Sequence, residues 1–264
     1  MMTNRKMTIG IIGLVAILAI TIAVFKPGQA TAAGMAKSHE YGNVSIDRSA
    51  KRNQGQPVVF RHWSHRAKYS CRLCHVDLEF SMEPNATGIT EEDNKNGRYC
   101  GTCHNGKATF AITECTKCHA KDASGAEKLE ADAKQAFLLL SKGLPRSPYG
   151  NKIDWNKAEE ENKISAKDFI EGVSFPAKDL VKNTRNEPRN PALPGLPGII
   201  FSHSKHVAWT GCGMCHPEPY ALETGKTKMS MKEITDGKFC GVCHGKVAFP
   251  LSDCSNCHSK PVTQ

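Results

Sequence analysis

Apolar residues gather at one end of this chain. An uncharged apolar run from Ile9 to Phe25 follows Arg5 and Lys6, and Lys26, Pro27 and Gly28 end it. A basic start, an apolar middle and the small-x-small sequence Ala30-Thr31-Ala32 form the pattern of an export signal, with removal expected before Ala33. The run is long for a signal core and slightly short for a spanning helix, so a retained anchor facing the periplasm is the alternative. A second ordered pattern comes much later. Ala126 to Lys142 is rich in Ala, Leu, Glu and Lys and is followed by Gly143 and Pro145, which predicts one amphipathic helix with a defined stop. Glu159, Glu160 and Glu161 mark a second, shorter helix, and Asn190 to Pro197, with three prolines, is expected to be extended and stiff.

Between these patterns the chain repeats itself. Phe60-x-His62-x-x-His65 stands before Cys71 as Phe201-x-His203-x-x-His206 stands before Cys212. Gly97 to Tyr99 before Cys100 correspond to Gly237 to Phe239 before Cys240, and Gly106, Lys107 and Phe110 correspond to Gly245, Lys246 and Phe249. Such a duplication implies two copies of one structural unit. The chain therefore divides into an export segment 1–32, an extension 33–56, a module 57–122, a partly helical linker 123–196 and a second module 197–264. A unit of this size buries little apolar surface by itself. Regular secondary structure should be sparse, with short helices and a core supplied from outside the chain.

All 12 cysteines fall in six copies of Cys-x-x-Cys-His. These are Cys71, Cys74, His75; Cys100, Cys103, His104; Cys115, Cys118, His119; Cys212, Cys215, His216; Cys240, Cys243, His244; and Cys254, Cys257, His258. Two thiols at this spacing add to the vinyl groups on one edge of a porphyrin, and the following histidine is held against the iron. Structural zinc also uses paired Cys-x-x-Cys but does not require histidine after every second cysteine. With 11 histidines in 264 residues, composition supplies that histidine roughly one time in twenty-five. The motifs predict six covalent haem c groups and an electron carrier rather than an enzyme.

The formal charge of +9 changes meaning once haem is counted. Loss of Arg5, Lys6 and Lys26 with the export segment, and twelve propionates on six ferric haems, bring the oxidised protein to about zero. The lysine excess neutralises propionates and implies no nucleic-acid surface.

Five histidines lie outside the motifs: His39, His62, His65, His203 and His206. The duplicated His-x-x-His pairs are the natural second axial ligands of two irons per module. Phe60, Phe110, Phe201 and Phe249 recur beside them and are expected to pack on porphyrin faces. The order Phe-x-His-x-x-His followed by three haem motifs resembles the trihaem cytochrome c-seven family, itself similar to the tetrahaem cytochrome c-three fold. The resemblance implies a multihaem cytochrome of tandem trihaem modules, with low regular secondary structure and short α-helices. It also implies that His65 and His206 ligate the haems of Cys71/Cys74 and Cys212/Cys215, and His62 and His203 those of Cys100/Cys103 and Cys240/Cys243. The family's remaining distal histidine is replaced by Asn96 and Asp236. Methionine is the alternative ligand, offered by Met82 in one module and by Met229 and Met231 in the other; His39 and an open position are the rivals. Partners implied are other redox proteins in anaerobic respiration: a quinol-oxidising membrane complex, other cytochromes and a terminal reductase, with extracellular metal as a possible final acceptor. Competing readings are a reductase with one open haem and a subunit of a haem filament or membrane complex.

Overall fold

The computed structural model of the protein describes residues 37–48, 50, 56–176, 186–189 and 196–260. The expected export segment and most of the Asn190–Pro197 stretch lie outside the described residues. No helix among the described residues is long and apolar enough to cross a membrane.

Each module starts with an extended segment that runs into a short helix. In the first, β1 (Asn43–Ile46) pairs antiparallel with β2 (Val58–Arg61), in the register Val44 opposite Phe60. The chain then turns into α1 (His62–Arg66). Glu91–Lys95 forms α2. The second module repeats the device with β3 (Glu187–Arg189), β4 (Gly198–Phe201) and β5 (His258–Lys260) in one antiparallel sheet with β4 in the middle, followed by α5 (His203–Thr210) and α6 (Met231–Thr235). The strands were not foreseen from sequence; β-branched pairs such as Val58-Val59 and Ile199-Ile200 favour extension. The last motif carries its own turn, α7 (Cys254–Cys257).

The linker forms α3 (Ala123–Lys142) and α4 (Trp155–Glu160). The predicted helix is present and starts three residues earlier than Ala126, because Asp122 caps it by accepting a hydrogen bond from the Gly125 amide at 2.8 Å. Asp154 caps α4 in the same way, accepting from Lys157 at 3.0 Å. The linker is not a tether. Phe137, Leu144, Ile153, Trp155 and Ala158 from the linker form one buried cluster with Trp63 of the first module and Trp209 of the second. Large side chains buried this way contribute about 1.5–3 kcal/mol each. The apolar core that the modules cannot build alone is thus supplied partly by the linker, which the composition of the modules did not reveal.

Candidate haem sites

The second motif of each module shows how local sequence positions a thiol pair. Helices α2 and α6 open with capping boxes: Thr90 accepts from the Asp93 amide at 3.0 Å, and Ser230 from the Glu233 amide at 3.3 Å, with the carboxylates bonding back. Both helices end in the bend that precedes the motif. There the residue after the first cysteine presses on the helix carbonyls. A β-carbon on Gly101 would stand 1.8 Å from the Asn94 oxygen, and one on Gly241 1.9 Å from the Ile234 oxygen. Only glycine fits, so these two motifs read Cys-Gly-x-Cys-His.

The motif histidines are oriented by their own backbone. Nδ1 of His75 is hydrogen-bonded to the Phe80 carbonyl at 2.8 Å, His216 to Tyr220 at 2.7 Å, His244 to Phe249 at 3.3 Å and His258 to Pro197 at 2.8 Å. A proton fixed on Nδ1 leaves Nε2 as the bare acceptor that a metal needs. His104 is turned toward the Phe110 carbonyl in the same sense. Three of the non-motif histidines show the same arrangement: His62 on the Gly42 carbonyl at 2.6 Å, His65 on Arg61 at 3.1 Å and His206 on Ser202 at 2.8 Å.

These rings then face each other in pairs. His62 and His75 have centroids 6.3 Å apart and planes 9° from parallel; His65 and His104 are 6.4 Å apart, and His206 and His244 6.2 Å. An atom bonded to one nitrogen of each ring at about 2 Å, with about 1 Å from nitrogen to ring centre, separates two imidazole centroids by about 6 Å. Each pair therefore has a span at which its two imidazoles could hold one metal between them. Burial lowers His62 and His244 to about 4, which keeps both rings in the neutral, ligating form. The residues present fit six haem groups: paired thiols, an imidazole beside each second thiol, four of them oriented by a carbonyl, and facing imidazoles for three of the irons.

The structure brings these rings together in a different order from the one the resemblance implies. His62 lies opposite His75 of the Cys71/Cys74 motif, His65 opposite His104 of Cys100/Cys103, and His206 opposite His244 of Cys240/Cys243. The physical reason is that His62 opens α1 and hangs from Gly42, while His65, one turn on, is turned back on its own helix through Arg61. The phenylalanines lie against the same imidazoles. Phe60 and Phe201 lie against His65 and His206 at 4.4 and 4.3 Å between centroids, and edge-on to His62 and His203 at 4.8 and 4.7 Å. Phe110 and Phe249 lie against His104 and His244 at 4.3 and 4.2 Å. Each phenylalanine ring thus packs on a histidine of the site.

His39 is occupied elsewhere. It is buried, with Nε2 2.9 Å from a Glu130 oxygen of α3, and Glu130 also holds Arg61 at 2.9 Å. That leaves four non-motif histidines for six irons. The candidate methionines stand at different places in the repeat. The bond from the Ser81 amide to Thr87 recurs from Ala221 to Thr227, which aligns Met82 with Leu222, Met229 with Ile89 and Met231 with Glu91. Met82 and Met231 are exposed, and Met229 is half-buried. Glu91 lies within electrostatic reach of His119, so the position of Met231 borders the third motif.

The thiols of successive motifs are neighbours. Burial, then Cys103, Cys71 and Cys100, push Cys74 up to about 12; burial and then Cys118 push Cys100 up to about 11; burial, then Cys71 and Cys215, do the same to Cys243; burial and then Cys240 act on Cys257. The attachment points form one connected series that crosses from module to module.

A chain with six paired-thiol and histidine motifs, four of them with the imidazole oriented by a backbone carbonyl, and with facing imidazole pairs is a multihaem c-type cytochrome. The family described as cytochrome c7 and related cytochrome c matches residues 58–120 and 199–261, which contain all six motifs. Both modules are cytochrome c7-like, and members of that family are typically electron carriers. Solved structures similar to the chain include three from Geobacter GSU1996. Its C-terminal hexahaem fragment is 23% identical over 82% of this chain and 96% of that chain, with a TM-score of 0.26. The dodecahaem cytochrome is 21% identical over 82% and 74%, with a TM-score of 0.25, and the N-terminal hexahaem fragment 23% identical over 82% and 98%, with a TM-score of 0.23. None of the curated proteins matches the chain.

Proposed function

We propose that this protein is an exported hexahaem carrier that passes single electrons between redox partners in the periplasm during anaerobic respiration. The observation that carries the reading is the facing of His62 with His75, His65 with His104 and His206 with His244 at a ligating span. When bound, haem iron supplies one-electron chemistry with little rearrangement of a saturated ligand set. The chain's own residues fix the imidazoles, shield them with phenylalanine and keep the attachment points close. Upstream, a quinol-oxidising membrane complex fits the role of donor; downstream, another cytochrome or a terminal reductase fits that of acceptor, with extracellular metal as the end point. Such encounters are weak and brief, which suits turnover.

For the third haem of the second module, Met231 is the proposed distal ligand because its repeat position borders the third motif; Met82 is the candidate in the first module. Met231→Ala should abolish one near-infrared methionine charge-transfer band and leave the other five haems intact, while Met229→Ala leaves the band unchanged. The reverse result would assign Met229. Carbon monoxide titration of the reduced protein tests the carrier reading as a whole: weak binding at every haem supports it, and tight stoichiometric binding at one haem supports a reductase.

A further inference from the structure

Arg66 ends α1, directly after His65 and five residues before Cys71. Its guanidinium lies over two indole rings at once, 5.1 Å from the centre of Trp155 and 4.9 Å from that of Trp209. Nη1 donates to the Val247 carbonyl at 3.4 Å, and Nε is buried with no partner among the described residues. Three parts of the molecule meet on this one cation: the first module, linker helix α4, and the second module through α5 and the loop after His244. The ion pairs of the described arginines are made by Arg61, Arg72 and Arg98. Among the described residues Arg66 makes none, so indole faces hold its charge without cancelling it. Glu159 is the carboxylate within electrostatic reach; burial raises its pKa, and Arg66 draws it back down.

The seam around Arg66 is tight. The Gly42 carbonyl holds His62, and a β-carbon on Gly42 would lie 3.6 Å from the Lys246 oxygen and 3.7 Å from the Val247 α-carbon. The Tyr41 hydroxyl donates to the Ala248 carbonyl at 2.5 Å. One residue of chain thus separates the imidazole facing His75 from the loop that closes the fifth motif. The repeat supplies an internal control. Arg66 corresponds to Val207, which is buried and uncharged.

We infer that Arg66 is a positioning residue that sets potential, a fixed cation at the module seam that favours the reduced state of the haem held at Cys71 and Cys74 over that of its repeat equivalent at Cys212 and Cys215. The inference rests on the haem reading above. Reduction adds one electron, supplied by the reduced partner, and no proton, so the ferrous site carries one positive charge less than the ferric. A desolvated cation nearby lowers the energy of the less positive state. Electrons entering either module then reside preferentially at the seam, where the modules touch.

The test is a redox titration of the holoprotein with individual haem resonances assigned by NMR, run on wild type, Arg66→Met and Arg66→Lys. In wild type the Cys71/Cys74 haem reduces at a higher potential than the Cys212/Cys215 haem. Arg66→Met shifts the reduction equilibrium of the first haem about tenfold toward the oxidised form, about 59 mV for a one-electron couple, while Arg66→Lys restores most of the shift. Intact mass and low-spin spectra of each variant check the haem reading separately. An unmoved first haem in Arg66→Met, or equal shifts in both variants, overturns the role of the charge. Should Arg66→Met yield no holoprotein, the wild-type order of the two equivalent haems decides, and a first haem at or below its twin refutes the inference.

Discussion

The most informative residues are the histidines that stand three apart on α1 and α5. His62→Ala is expected to turn the haem of Cys71/Cys74 high-spin and His65→Ala that of Cys100/Cys103, each read by assigned NMR or by the loss of one low-spin signal. The opposite assignment would restore the order drawn from resemblance. Gly101→Ala places a methyl group inside the distance of any real contact with the Asn94 carbonyl. Overpacking against backbone costs about 1–3 kcal/mol or more, so that variant should lose the haem of Cys100/Cys103, visible as one haem fewer in the intact mass; Gly97→Ala, with nothing within 4 Å but a positive φ, should keep all six. Attachment and proximal residues were legible in the sequence because thioether chemistry fixes their spacing. The distal pairing was not, since two histidines one turn apart can each reach either of two irons, and the Gly42 carbonyl that holds His62 opposite His75 leaves no mark in the sequence.

At the scale of elements, α3 was legible almost to its ends, because its composition favours helix and Gly143 stops it. Its partner was not: nothing in the sequence says that Phe137 packs edge-on against Trp63, 5.2 Å between centroids. That contact makes the linker part of the first module's support. Phe137→Ala is expected to lower stability by about 3–5 kcal/mol in thermal unfolding, with all six haems still attached. A loss within a few tenths of a kcal/mol would return the linker to the status of a tether. Asp122→Ala removes only a cap and should cost about 1 kcal/mol. The strands β1, β2 and β4 escaped the sequence reading because runs of four residues carry too little periodicity, yet they deliver each Phe-x-His-x-x-His segment to its site.

For the whole molecule, duplication was legible from the motif spacing, and the seam between the copies was not. Trp63 and Trp209 fall at non-equivalent places in the repeat, and Arg66 faces a second module that carries Val207 in its stead. The contacts that join two similar units are those in which the units differ, and no internal comparison displays them. The account depends on haem at every one of the six motifs. Expression in a host that matures c-type cytochromes, followed by intact mass and absorption of the purified protein, tests this most directly. A mass exceeding that of the polypeptide by six haem groups, with a low-spin Soret band, is the predicted result; a polypeptide carrying fewer haems, or none and no Soret band, contradicts it.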